Sequence, residues 1–122
     1  MLLLVFACAP PVVAQSPATA AQPADDAAAL EAKVQEVERL AVTAHWHESD
    51  AKIDALAPVR SSLTLQQRHR IDFVYLRNRA LAGDQAAALE GLAELLKQDL
   101  PVAFRMRVYT TATGVAANLE DW

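Results

Sequence analysis

The densest cluster of groups able to bind a metal or move protons is His45-Trp46-His47-Glu48, with Asp50 just beyond. Imidazoles and carboxylates are cation ligands when one face of the chain presents them together. Positions two apart on a helix diverge by about 200°, so His45 and His47 do not share a face if this stretch is helical. A solvated helix end is the simpler reading, because imidazoles there complement the helix dipole and Trp46 packs on the next helix. Nucleophilic catalysis has less behind it. Cys8 sits in an N-terminal apolar run, no Ser occupies a Gly-flanked strand-to-helix turn, and His69 falls between Arg68 and Arg70 on a polar helical face. The pairs Glu36/Glu38 and Glu90/Glu94 read as solvent-facing carboxylates. A single Cys makes neither an internal disulfide nor a thiolate zinc site, and three scattered glycines make no phosphate cradle. The chain is therefore expected to be noncatalytic, with no metal and no cofactor; an enzyme, ligating metal through His45 and His47, is the third-ranked alternative.

The elements that position these residues are helices. The chain of 122 residues is dominated by Ala and Leu, the strongest helix formers, and is only 6% aromatic, which disfavours a sandwich or barrel. A net charge of −4 argues against nucleic-acid binding by the chain as a whole. Residues 1–14, MLLLVFACAPPVVA, read as a signal peptide: a short apolar core ends in the small-residue site Val12-Val13-Ala14. The run is too short to span a bilayer, and no Lys or Arg precedes it, so the start of the reading frame is expected upstream. Cys8 behind Val5-Phe6-Ala7 also admits a lipoprotein reading, but bulky Phe6 favours ordinary cleavage. Residues 15–24 read as a disordered Pro/Ala linker, and 25–122 as a helical domain.

Within that domain, Ala27, Leu30, Val34, Val37, Ala41 and Ala44 share one face of a helix expected from Asp25 to about His47. A second helix, about Asp50 to Ser61, should kink or end at Pro58. Thr64-Leu65-Gln66-Gln67 is a capping box opening a helix to Ala82 that Gly83 ends. Arg68 and Asp72 on it are spaced to pair. Asp84 is placed to cap the next helix, and Asp99-Leu100-Pro101 leads into a last one stopping near Asn118. That last helix carries Val108, Tyr109, Ala112 and Val115, expected to lie uncovered and to drive self-association.

The stretch Ala82-Gly83-Asp84-Gln85-Ala86-Ala87-Ala88-Leu89, followed by Leu92, Leu95-Leu96 and Asp99-Leu100-Pro101, resembles the second half of a tetratricopeptide repeat. The two turn-like sites Gly83-Asp84 and Glu120-Asp121 lie within the ~30–50-residue spacing of helix-pair repeats. Departures are Asp72 and Leu76 at the family's aromatic and small positions, and a following repeat only half present, with Trp122 where the aromatic after the Gly-Asp turn would be. The resemblance covers about residues 50–122 and implies an all-α fold of antiparallel helix pairs stacked as a short array, incomplete at its C-terminus. In such stacks the first helix of each pair lines a concave face, where Arg70, Phe73, Arg77, Phe104 and Arg107 fall near groove positions. This implies a basic groove for a peptide, a protein or a small acidic ligand; the alternative is that these arginines are solvated or paired within the fold. The order of export segment, linker, acidic helix and degenerate repeats is similar to the extracytoplasmic input region of membrane-bound GGDEF diguanylate cyclases. It implies a periplasmic sensory or interaction module ahead of a membrane tether. The alternative is a freestanding periplasmic or lipid-anchored tetratricopeptide-like scaffold.

Overall fold

A computed structural model describes residues 23–120, with side chains described for 26–119. Residues 1–14, expected to be a signal peptide, most of the expected linker, and Asp121 and Trp122 lie outside the described residues. Within them the chain is all-α: α1 (Pro23–Val42), α2 (Trp46–Leu56), a 3₁₀ helix (Ala57–Ser62), α3 (Leu65–Leu81), α4 (Gln85–Leu96) and α5 (Val102–Glu120). None of these helices is long and apolar enough to cross a membrane. The α1 helix starts two residues before the expected boundary, at Pro23, where a missing N–H costs nothing because first-turn donors have no intrahelical partner.

The first real departure is the end of α1. It stops at Val42, not His47, because Ala44 turns the chain back at φ +67°. The His45 N–H donates to Leu40 O at 2.8 Å and the Ala44 N–H to Ala41 O at 3.3 Å, the paired bonds of a Schellman ending. The same pair recurs at the end of α3, where the Asp84 N–H reaches Arg79 O at 3.0 Å and the Gly83 N–H reaches Ala80 O at 3.1 Å. There the turning residue is Gly83, at φ +104°. One motif is thus built twice, once with the residue that suits it and once without. Ala44→Gly should raise stability by about 0.5–1 kcal/mol, and Gly83→Ala should lower it by about 1–2 kcal/mol. Urea unfolding of the two variants checks the opposite signs.

Because α1 ends early, α2 starts early, at Trp46. It changes to a 3₁₀ helix after Leu56, since Pro58 offers no N–H to continue the α ladder. The capping box at α3 forms as expected: Thr64 Oγ1 accepts from the Gln67 N–H at 3.1 Å, and Gln67 Oε1 accepts from the Thr64 N–H at 2.9 Å. Asp84 does not cap α4 with its side chain, which is instead taken by Arg79.

Two apolar cores meet along α3. Val34, Val37 and Ala41 of α1, Leu56, Leu63, and Ile71 and Val74 of α3 form the first. Phe73 of α3, Leu92 and Leu95 of α4, Leu100, and Val108, Ala112 and Val115 of α5 form the second. The last three were expected to lie uncovered, and they do not; the inward face of α5 is closed by α3 and α4. Tyr109 is outward, and the exposed apolar stripe of α5 is Val102, Met106 and Tyr109. Ala88 and Leu92 are fully buried, where the close helix packing of the α3–α4 hairpin needs a small and a large side chain. Arg105 fixes the next connection, donating to Leu96 O and Gln98 O, both at 2.7 Å.

Candidate functional site: a basic aromatic groove between α3 and α5

The five groove residues expected from sequence divide four to one. Phe73 and Phe104 meet edge to face, ring centroids 5.6 Å apart at 81°. Phe73 is buried and supplies the floor; Phe104 is half-buried and comes from the first turn of α5. The Arg107 guanidinium lies over both rings, 5.6 Å from Phe73 and 5.9 Å from Phe104. Arg77, one turn along α3 from Phe73, joins Arg107 in lining a groove of about 390 Å³. Neither Arg77 nor Arg107 makes an ion pair with a described residue. A cation held over aromatic faces contributes about 0.5–1 kcal/mol at an exposed site, which orders the guanidinium without neutralising it.

The groove continues along the same two helices into a recess of about 430 Å³ that shares Arg77 and Thr111 and reaches Gly114 and Asn118. No acidic side chain lines either part. Met106, Thr110, Thr111 and Asn118 were not singled out from the sequence. The signal for three of them was there: Thr110, Thr111 and Asn118 lie three, four and eleven residues beyond Arg107, on its face of α5.

Arg70 is elsewhere. It turns toward α1, donating to Glu31 at 2.9 and 3.0 Å and to Glu38 at 2.5 and 3.2 Å. Glu31 and Glu38 lie two turns apart on α1, so one guanidinium bridges both. Hydrogen bonds from Arg70 first, then Gln67, hold the Glu31 carboxyl down at about 2; the two carboxylates, Glu38 foremost, push Arg70 above its ordinary value. For Arg70 the competing reading, an arginine paired within the fold, is the one that holds. Glu38 is likewise a bridge residue and not a free surface carboxylate.

Three other expectations change. Asp72 pairs with Arg60 of the 3₁₀ helix at 2.9 Å, not with Arg68. His69 is buried, lining a cleft that α4 also borders, instead of lying on a polar face. His45 precedes α2 instead of ending α1, and its Nδ1 lies 3.0 Å from Thr43 Oγ1. The His47 ring stacks on Trp46 at 3.5 Å. Among the described residues no three His, Cys, Asp or Glu side chains converge as metal ligands. No protein-family model, no curated protein and no solved structure matches the chain.

Proposed function

We propose that this protein is a noncatalytic binding module that takes an acidic peptide segment or a carboxylate-bearing ligand in the α3–α5 groove. The observation that carries the reading is a pair of guanidinium groups, Arg77 and Arg107, set on an aromatic floor with no acidic partner among the described residues. Such a groove attracts anionic segments over a distance of about 8–10 Å in physiological salt and gives ordered donors at contact. In this reading α3 and α4 form one tetratricopeptide-like pair and α5 opens the next. The Gly83 turn and the buried Ala88 support it, as does the groove lying between the two first helices. The export-type segment and the Pro/Ala linker support placing the module on the extracytoplasmic side of the membrane, as the input region of a GGDEF signalling protein. A freestanding envelope scaffold is the second reading, favoured by the exposed stripe Val102, Met106 and Tyr109.

Fluorescence anisotropy with a labelled Asp/Glu-rich peptide tests the groove. Wild type should bind in a salt-sensitive manner, and Arg77→Glu/Arg107→Glu should weaken binding by at least about tenfold, or about 1.4 kcal/mol. Equal binding by the double variant, or equal binding of a Lys-rich peptide, would overturn the proposal.

A further inference from the structure

A second cleft, of about 540 Å³, opens on a different face of α3, where α3, α4 and the 3₁₀ helix diverge. Leu76 and Leu95 make its apolar wall, and Arg68 and His69 project from α3 beside them. A Cβ at Gly91 would overlap the Leu76 methyls, so the missing side chain sets how closely α4 lies against Leu76. The other ions at the cleft are spoken for: Arg60 is paired with Asp72 at 2.9 Å, and Glu94 with Lys97 at 2.8 Å. Arg68 pairs with no described residue, and its Nε is buried without an acceptor. His69 is only 8% exposed, and its ring makes no hydrogen bond to a described residue. A buried donor without a partner, here Arg68 Nε, is costly, and folded proteins normally satisfy such a group with water or a bound ligand.

We infer that this cleft is a second ligand site, for a small organic monocarboxylate with an apolar or aromatic body. The carboxylate accepts from Arg68 and His69, and the body lies against Leu76 and Leu95. The volume is that of a small-molecule site and too small for a folded partner. Asp72 and Glu94 at the rim set the charge: one unpaired guanidinium matches one negative charge, and a dianion meets two carboxylates. This site is independent of the α3–α5 groove.

Phenylacetate and its neutral isostere phenylacetamide are the probes, titrated into the isotope-labelled protein by NMR. Phenylacetate should give saturable amide shifts at Arg68, His69, Leu76 and Gly91, and phenylacetamide should bind at least about tenfold more weakly. Arg68→Gln should remove that preference with helical circular dichroism unchanged. Gln98→Glu, at the exposed rim, should weaken phenylacetate at the cleft without touching the core, and Arg107→Glu in the groove should leave the shifts at Arg68 and Gly91 unchanged. Equal affinity for acid and amide, shifts confined to the groove, or no saturation by about 50 mM would overturn the assignment.

Discussion

Arg70→Met is expected to lower stability by about 2 kcal/mol at pH 7 and to remove part of the protein's sensitivity to acid. The side chain is 21% exposed, and it joins Glu31 and Glu38, which are 34% and 24% exposed. Removing it leaves two half-buried carboxylates facing an apolar neighbour, a larger loss than that of a solvated ion pair and a smaller one than that of a fully buried pair. The pH dependence follows from Glu31, whose carboxyl sits at about 2 against an ordinary 4.5. A depressed carboxyl stabilises the fold fully above the unfolded value and loses that contribution as pH falls through the folded one. The gap between wild type and variant should therefore be widest above about pH 4.5 and close between there and about pH 2. Thermal melts of both proteins at pH 7, 4, 3 and 2 measure it. A gap that stays constant across this range would mean that Arg70 acts through packing of its methylenes and not through its charge.

Leu92→Ala should cost more, about 3–4 kcal/mol out of a typical total of about 5–15. Leu92 is fully buried in the core shared by α3, α4 and α5, where neighbours on three helices restrict collapse into the cavity. The loss should be uneven. The α1–α2 core is a separate cluster that meets this one only along α3, so hydrogen exchange should quicken more in α4 and α5 than in α1 and α2. Uniform acceleration along the chain would show that the two cores open as one unit.

Much of this architecture is legible in the sequence, and the exceptions have physical causes. The all-helical class, the Thr64 capping box and the change of helix at Pro58 rest on local chemistry, and local chemistry decides them. The end of α1 does not, because Ala44 carries no left-handed preference; the bend is imposed by packing and by the hydrogen bonds that close it. Partner choice among charges is also nonlocal. Asp72 has Arg68 one turn away on its own helix, yet Arg60 reaches it from another element. Phe73, Arg77, Phe104 and Arg107 are expected together because the resemblance to the repeat implies groove positions for them, and separations of four and three residues keep each pair on one face of its helix. Arg70 shares that face by spacing, but its fate depends on two acids of α1 that no spacing within α3 reveals. His69 has charged sequence neighbours that mark a polar face, yet its own side chain is buried at the cleft between α3 and α4, which those neighbours do not reveal.

The Arg105 clamp has a consequence for engineering. The guanidinium reads two carbonyls, Leu96 O and Gln98 O, across a connection with no glycine, so the loop from Lys97 to Pro101 is fixed in length as well as in path. One residue added or deleted there would carry a carbonyl off the fork and leave α5 without its anchor to α4. The exposed bend at Thr43 and Ala44 is closed by bonds local to α1 and joins helices already packed on one another. Tags, reporter insertions and new chain termini belong at that bend, and the α4–α5 junction should be left at its native length.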